Sequence, residues 1–216
     1  MDEVARDGSP VEVYAALPAE PDLGSVRSLI PEGARVLDLS CWTGRISSPL
    51  VGDGHPVVAV DDSEAMLARV VGAETVTADV WTLGIGRRFD VVLALSHLIN
   101  HPDRSRRLTL LQVCRNHLAD DGVVVVQRYP PGWLPTDSEG TIGHVTIKLH
   151  DVVRQTGGVF EATATYTVGP RSWSQAFEAM IVDDDEMRSL ALVAGLAIDH
   201  VAGDASWVVL SPKREA

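Results

Sequence analysis

The stretch Ala34-Arg35-Val36-Leu37-Asp38-Leu39-Ser40-Cys41-Trp42-Thr43-Gly44-Arg45 decides the fold of this protein. Its first half is mainly apolar with one acidic residue, and its second half contains serine, threonine and glycine. A short apolar run that ends in a turn signal is typical of a buried strand. We therefore predict a strand from Arg35 to Leu39, a tight turn, and a helix from Gly44 to Val51.

Two further acidic residues follow about twenty residues later, at the end of a second apolar run. The run is Val57-Val58-Ala59-Val60, and Asp61 and Asp62 come directly after it. In nucleotide-binding folds, an acidic residue at this spacing after the first strand binds the ribose hydroxyls. The spacing therefore points to a ligand that contains adenosine, with Asp61 at the ribose.

Strand-like and helix-like segments alternate up to residue 128, which predicts a parallel sheet covered on both faces. The predicted strands are Arg35 to Leu39, Val57 to Val60, Thr75 to Ala78, Phe89 to Leu95 and Val123 to Arg128. The predicted helices are Val11 to Ala16, Asp22 to Ile30, Gly44 to Val51, Glu64 to Val71 and Pro102 to Leu118. Ser63 stands where it can cap the fourth of these helices.

The hydrophobic period changes to two between Gly143 and Val182, where apolar and polar residues alternate. Turn signals at 157–158 and 169–170 divide this region into three strands, the third from about Ser172 to Val182. A helical period then returns from Asp183 to Ala194. The final predicted elements are two strands, Leu196 to Val201 and Ser206 to Leu210, which form a hairpin.

These features resemble those of class I S-adenosylmethionine-dependent methyltransferases. The turn from Asp38 to Gly44 is similar to motif I, Asp-x-Gly-x-Gly-x-Gly, with Ser40 and Trp42 at two of the glycine positions. Residues 60–67, 77–80, 89–97 and 117–122 resemble the motifs that follow it. The resemblance extends from about Ser9 to Pro212. It implies an α/β, Rossmann-like sheet of seven strands in the order 3-2-1-4-5-7-6, the last strand antiparallel, with the β-meander inserted after strand 5.

The resemblance also implies S-adenosylmethionine as the cofactor and a role for each matching position. Asp61 would accept hydrogen bonds from the ribose hydroxyls, and Asp79 would meet the adenine amino group. The other implied contacts are Asp38, Ser40, Cys41, Trp42 and Gly44 around the methionine end, Asp62, Val80 and Trp81 around the adenine, and Leu95 and Ser96 at the methionine ammonium. Asp38 and Asp79 have an alternative role, because a carboxylate at a strand end often caps a turn.

Trp42 leaves two structural alternatives open. Glycine permits positive φ and lets a ligand approach the backbone closely, whereas tryptophan adds a large ring. The indole of Trp42 either points away from the cofactor and packs on neighbouring helices, or fills space that the cofactor would use. The first alternative is favoured because this cofactor has no pyrophosphate that must press on the loop.

Candidate catalytic residues follow the fourth predicted strand, at the edge where open α/β sheets bind ligands. His97 and His101 would share one face if that segment is helical, and a histidine of near-neutral pKa can accept a proton from a hydroxyl or amine. Asn100, Tyr14 and Tyr129 are the candidate substrate contacts. For the histidines and tyrosines the alternative is a structural role in packing or at the start of a helix. No metal site is predicted, because no third ligand accompanies the two histidines.

The composition excludes several classes of function. With 18 Lys and Arg against 30 Asp and Glu, the 216-residue chain has a formal charge of -12, which opposes binding to nucleic acid or to anionic membranes. Its longest apolar runs are far shorter than a membrane-spanning helix, and the N-terminus has no signal-peptide pattern. Cys41 and Cys114 form neither a disulfide framework nor a metal-binding motif. We therefore expect a cytoplasmic enzyme that acts on a small molecule.

The domain prediction is one unit, residues 1–216, with residues 143–182 as an antiparallel insertion. The insertion could form a lid, a pocket wall or the surface of a homodimer. Its apolar face, which bears Phe160, Tyr166, Trp173 or Phe177, would line the substrate pocket in the first two cases.

Two functional hypotheses follow. The favoured one is methyl transfer from S-adenosylmethionine to an O, N or C nucleophile of a small molecule, with specialised metabolism as the candidate setting. The alternative is a methyltransferase-like protein that has lost methyl transfer and acts as a cyclase, an isomerase or a non-catalytic binding protein. The two differ in what Trp42 does to the cofactor site.

Overall fold

The computed structural model describes residues 4–6 and 8–214, and within them eleven strands form two sheets. The strands are β1 (Val36–Leu39), β2 (Val57–Asp61), β3 (Glu74–Thr77), β4 (Phe89–Ala94), β5 (Leu118–Gln127), β6 (Ser138–Ile142), β7 (Val145–Arg154), β8 (Val159–Val168), β9 (Arg171–Met180), β10 (Leu196–Ala202) and β11 (Trp207–Pro212). The helices are α1 (Val11–Ala16), α2 (Asp22–Leu29), α3 (Ser47–Gly52), α4 (Glu64–Leu67), α5 (Arg104–His117) and α6 (Asp184–Val193).

The first sheet has seven strands in the order β10-β11-β5-β4-β1-β2-β3. Strands β1 to β5 run parallel, and β11 is antiparallel to both of its neighbours, β5 and β10. This is the predicted order 3-2-1-4-5-7-6, because β10 and β11 are the sixth and seventh strands of this sheet. The predicted fold class is therefore confirmed.

The centre of this sheet is buried on both faces, which explains the apolar runs that reveal it in the sequence. All four residues of β1 are buried. Alternate side chains point to opposite faces: Leu37 and Leu39 pack in the cluster that includes helix α5, whereas Val36 packs on the other face with Leu50 of α3. The parallel strands thus end together at one edge, between the two helical layers.

The second sheet is an antiparallel meander in the order β6-β7-β8-β9. The sequence predicted three of its strands and missed β6, so the meander begins at Ser138 rather than at residue 143. Every residue of β6 is exposed and its strand contains Gly140, so it carries no apolar alternation. Its pairing with β7, from Ser138 opposite Leu149 to Ile142 opposite Val145, is what makes it a strand.

The inner face of the meander packs against the chain that follows β5. Phe160 and Ala162 form a cluster with Tyr129 and Trp133. At the other end of the meander, Arg171 forms an ion pair with Glu12 of α1. The meander therefore extends from the loop after β5 to the N-terminal helix.

The helices on either side of β2 in the chain are shorter in the structure than in the sequence analysis. The helix after β1 starts at Ser47 rather than at Gly44, because Gly44 has φ +76°. Helix α4 has only one turn instead of continuing to Val71, since Arg69 and Val70 form i−3 hydrogen bonds and Gly72 then takes φ +78°. The predicted cap of α4 is present: Ser63 Oγ accepts from the Met66 amide at 3.3 Å.

No helix in the described part of the chain is long and apolar enough to span a membrane. Nor do residues 4–6 and 8–214 contain a group of three His, Cys, Asp or Glu side chains that could hold a metal ion.

Candidate functional site

The loop after β1 is left-handed at the three motif positions, although only one of them is glycine. Ser40, Trp42 and Gly44 have φ values of +52°, +51° and +76°. A left-handed conformation costs a non-glycine residue about 1–2 kcal/mol. At Gly44 a Cβ would also lie 3.0 Å from Val70 Cγ2 and 2.9 Å from Ser48 Oγ, so this position requires glycine for both reasons. The loop therefore keeps its shape at Ser40 and Trp42 at a cost in strain.

Asp61, at the end of β2, holds this loop in place. One carboxylate oxygen of Asp61 accepts from the Trp42 amide at 2.9 Å, and the other accepts from the Ser63 amide at 3.0 Å. The residue is 4% exposed. Asp61 thus joins the turns after β1 and β2 while it lines the cavity between them.

That cavity, which we call the carboxylate cavity, has a volume of about 280 Å³. Its walls include the carboxylates of Asp61, Asp62 and Asp79, the backbone turn at Ser40, and the side chains of Val80 and Trp81. Asp79 caps the turn that follows it, because its Oδ1 accepts from the Trp81 amide at 2.9 Å. Asp79 therefore both caps this turn and lines the cavity.

Asp38 and Cys41 lie beneath the loop rather than in the cavity. Asp38 is 2% exposed and accepts a 2.6 Å hydrogen bond from Ser47 Oγ, at the start of α3. Burial raises the pKa of Asp38 to about 6, although the Ser47 hydrogen bond opposes this shift. The Cys41 side chain packs with Ala59 and Leu67, and burial raises the pKa of its thiol. For Cys41 the implied cofactor contact is thus limited to its backbone.

The indole of Trp42 packs on the first helix. Its ring lies 3.9 Å from that of Tyr14, edge to face, in a cluster that includes Val11 and Met66. The carboxylate cavity beside it stays open. Trp42 also lines a second cavity on its other side, so it separates the two.

The second cavity, which we call the aromatic cavity, has a volume of about 330 Å³. The rings that line it are Tyr14, Trp42, His97 and Tyr166. Ile142 and Ile147 of the meander contribute apolar surface. The meander is therefore a wall of this cavity. Of the four aromatic residues considered for the inner face, only Tyr166 reaches it, whereas Phe160 and Phe177 pack in the cluster beside Tyr129.

His97 lies in the aromatic cavity and is neutral. Burial lowers its pKa to about 4, so the expectation of a near-neutral pKa is wrong. Its ring stacks on Tyr129 at 4.1 Å, and its φ is +61°. Nδ1 is buried without a hydrogen-bond partner among the described residues. A buried, unpaired polar atom costs about 1–3 kcal/mol, which a ligand that donates a hydrogen bond there could recover.

His101 lies in the other cavity, so the two histidines do not share a face. The segment between them is a single 3-10 turn, Leu98–Asn100, because His97 is left-handed and His101 is extended. His101 faces the Trp81 ring at 5.6 Å in the carboxylate cavity, and its Nδ1 accepts from the Asp103 amide at 3.0 Å. Burial also lowers the pKa of His101. The condition for a shared face, a helical segment from His97 to His101, is therefore not met.

Asn100 supports the aromatic cavity from outside. It is 2% exposed; its Nδ2 donates to the Met180 carbonyl at 2.6 Å, and its Oδ1 accepts from the Tyr129 amide at 3.0 Å. The substrate contact predicted for Asn100 is therefore not what the structure shows. Tyr129 is likewise enclosed between His97 and Trp133, at 4.1 and 4.8 Å, and burial raises its pKa to about 12.

A polar network that the sequence analysis missed connects the loop after β4 to α2. The Ser96 amide donates to Gln127 Oε1 at 2.8 Å, and Gln127 Nε2 donates to Asp22 at 3.2 Å. Arg45 then donates to the other oxygen of Asp22 at 2.8 Å. Partners so distant in sequence leave no local signal. Leu95, beside Ser96, is 4% exposed, so it can reach a ligand only through its backbone.

The carboxylate cavity fits the adenosine part of S-adenosylmethionine. Asp61 offers a carboxylate for the ribose hydroxyls, and Val80 and Trp81 offer apolar surface beside Asp79 for a purine. The aromatic cavity starts on the other side of Trp42, where Ser96 lies. The residues present thus suit a ligand that passes from one cavity to the other along the loop after β1.

Comparison with known proteins agrees with this fit. Residues 36–122, from β1 to the first part of β5, match the family described as "Methyltransferase domain". A dTDP-3-amino-3,4,6-trideoxy-alpha-D-glucopyranose N,N-dimethyltransferase of Streptomyces venezuelae is 24% identical over 197 residues, which cover 84% of this chain and 83% of that protein. A dTDP-4-amino-2,3,4,6-tetradeoxy-D-glucose N,N-dimethyltransferase of Saccharopolyspora spinosa is 25% identical over 199 residues, 82% of this chain and 77% of that one.

Solved structures share the whole fold. The amino pentose methyltransferase from Micromonospora echinaspora, solved with S-adenosylmethionine bound, has a TM-score of 0.70 at 23% identity and covers 90% of this chain, which in turn covers 89% of it. The methyltransferase relatives favour methyl transfer over the alternative of lost methyl transfer. The match over residues 36–122 and the two curated relatives support a class I S-adenosylmethionine-dependent methyltransferase, with S-adenosylmethionine as the cofactor.

Proposed function

We propose that this enzyme methylates the amine nitrogen of a small molecule, an amino sugar of secondary metabolism. The observation that carries the proposal is that both curated relatives, which match over more than four-fifths of this chain, are amino-sugar N,N-dimethyltransferases. The aromatic cavity of about 330 Å³ supports it, because it suits one small ring beside the loop that separates it from the carboxylate cavity.

When bound, S-adenosylmethionine supplies an electrophilic methyl group: the new C–N bond forms as the C–S bond breaks, and the sulfur keeps the electron pair. The enzyme's own residues contribute by positioning the cofactor and the acceptor. The turn at Ser40 and Trp42, tied to Asp61, holds the cofactor end, and the walls of the aromatic cavity hold the acceptor in line with it.

In this proposal His97 accepts a hydrogen bond from the amine and so positions it. It does not act as a strong base. A pKa of about 4 makes the imidazole too weak to remove a proton from an ammonium ion at neutral pH. A neutral imidazole still accepts a hydrogen bond from an N–H group and can orient the nitrogen lone pair. The acceptor therefore reacts as the free amine, and the proton of the methylated product is lost to solvent.

The direct test supplies two acceptors that differ at one atom. The purified enzyme and S-adenosylmethionine are incubated with a dTDP-amino sugar and with the same sugar bearing a hydroxyl in place of the amine. Mass spectrometry then measures S-adenosylhomocysteine and methylated sugar. We expect mono- and dimethylated amine and no methyl ether. Methylation of the hydroxyl analogue alone would contradict the proposal.

Two histidine variants test the separation of the cavities. Asparagine tolerates positive φ, so His97→Asn keeps the backbone of the loop while it moves the acceptor atom. We expect His97→Asn to raise KM for the amine about tenfold, the worth of one hydrogen bond, and to leave KM for S-adenosylmethionine unchanged. His101→Asn should do the reverse, because His101 lies in the carboxylate cavity.

A further inference from the structure

The aromatic cavity holds three phenol or indole rings from three separate parts of the chain. Tyr14 comes from α1, Trp42 from the loop after β1, and Tyr166 from β8. The Tyr14 ring lies 3.9 Å from that of Trp42 and 6.3 Å from that of Tyr166. All three line the same cavity, so a small ligand inside it would be bordered by aromatic faces and edges on several sides.

Positive charge in this cavity is already neutralised. Among the described residues that line it, Arg45 is the only Lys or Arg, and its guanidinium donates to Asp22 and to the carbonyls of Pro18 and Ala19. Two carboxylates, Glu20 and Asp22, also line the cavity. The chain as a whole carries a formal charge of -12. A cation entering the cavity therefore meets no unpaired positive group, and the overall field attracts it.

We propose that Tyr14, Trp42 and Tyr166 form a cage that binds the acceptor as a cation, so that the enzyme selects amines by their charge. This inference rests on the proposed function, since it assumes that the acceptor is an amine. Aromatic faces attract ammonium groups, and the attraction is stronger where the cation is desolvated. In this cage Trp42, at a position where motif I has glycine, provides one wall.

The cage also suits the reaction and its product. The bound ammonium must first release a proton to solvent, which frees the nitrogen lone pair; positive charge then returns to the nitrogen as the new C–N bond forms, where the aromatic rings that line the cavity stabilise it. A methylated amine is bulkier and remains protonated at neutral pH. The cage therefore holds the monomethyl product at least as well as the substrate, which favours a second methyl transfer.

The test compares a cation with a neutral molecule of the same shape, in binding alone. Choline and 3,3-dimethylbutan-1-ol are titrated by calorimetry into the full-length protein saturated with S-adenosylhomocysteine. We expect choline to bind about tenfold more tightly, as a cation–π gain of about 1.4 kcal/mol requires. Equal affinity for the two probes, or no binding of either at millimolar concentration, would overturn the cage.

Variants then assign the preference to the rings. Tyr166→Leu should reduce the ratio of the two affinities to about threefold or less, whereas Tyr166→Phe, which keeps the ring, should preserve it. Trp173→Leu is the matched control, since Trp173 faces Tyr166 across β8 and β9 without lining the cavity. A ratio that Tyr166→Leu leaves intact would refute the assignment. Because no methyl is transferred in this experiment, the cage and the proposed amine methylation can fail separately.

Discussion

The two cavities on either side of Trp42 are built in different ways. The carboxylate cavity takes its acids from the ends of neighbouring parallel strands, where Asp61, Asp62 and Asp79 follow β2 and β3. The aromatic cavity takes its rings from α1, two strand-end loops and the distant strand β8. The carboxylate cavity is thus formed by residues that are close in sequence to the ends of the strands. The aromatic cavity is formed by the packing of elements that are remote in sequence.

The largest expected effect is on the carboxylate cavity. Asp61→Asn removes the negative charge of the carboxylate that accepts hydrogen bonds from two backbone amides and faces the ribose position. We expect the Kd for S-adenosylhomocysteine to rise about 100-fold, which corresponds to about 2.7 kcal/mol. Calorimetry measures it, with Asp121→Asn at an exposed position of β5 as the control. An affinity within threefold of the unaltered protein would mean that Asp61 serves only to hold the loop.

The second prediction concerns the support of the aromatic cavity. Asn100→Ala leaves the Met180 carbonyl and the Tyr129 amide without their side-chain partners. We expect the free energy of unfolding to fall by about 2 kcal/mol, because unpaired buried groups cost about 1–3 kcal/mol each. Urea denaturation measures it, and Asn116→Ala, on the exposed side of α5, should change stability little. If both variants lose the same amount, Asn100 is not a link between β5 and β9.

The third prediction uses the opposite pKa shifts near the two cavities. The pKa of Asp38 is raised to about 6, so its folded state binds the proton more readily, and its contribution to stability declines as the pH rises from about 4 to 6. The pKa of His97 is lowered to about 4, so its contribution declines as the pH falls from about 6.5 to 4.

Unfolding of three proteins across this pH range separates the two groups. The stability difference between the unaltered protein and Asp38→Asn should shrink as the pH rises, and the difference from His97→Asn should shrink as it falls. Curves that run parallel for either variant would show that the group in question titrates alike in the folded and unfolded chain.

The smallest expected effect is at Ser40, where φ is +52°. Ser40→Gly should be more stable than Ser40→Ala by about 1 kcal/mol, because only glycine adopts this conformation without strain. Thermal unfolding of the pair measures the difference at one position, so neither solvent exposure nor the lost hydroxyl enters the comparison. Equal stability of the two variants would show that a side chain at position 40 does not strain this loop.

Much of the carboxylate cavity could be predicted because its residues are adjacent in sequence to apolar strands. Buried parallel strands must be apolar on both faces, so Val36–Leu39 and Val57–Asp61 stand out, and the residues that end them mark the ligand edge. The left-handed turn at Ser40 and Trp42 could not be predicted from those side chains. It depends on a tertiary contact, because the Trp42 amide donates a hydrogen bond to Asp61.

The aromatic cavity could be predicted only in part. Tyr14 was a candidate substrate contact and Tyr166 one of four residues that could line the pocket. Nothing local records that their rings meet, because α1 and β8 are 152 positions apart at these residues. The lowered pKa of His97 could not be predicted from the sequence either, because it depends on burial beside Tyr129, and burial is a property of the folded chain.

The sequence by itself determined the strands of the first sheet, the hairpin that ends it and the acids that follow its second strand. These follow from periodicity and from spacing along the chain. Tertiary structure alone decided that His97 and His101 lie in different cavities, that Asn100 is a support, and that Tyr14, Trp42 and Tyr166 surround one space. The physical reason is that contacts between remote elements, and the burial they cause, depend on packing that no local pattern encodes.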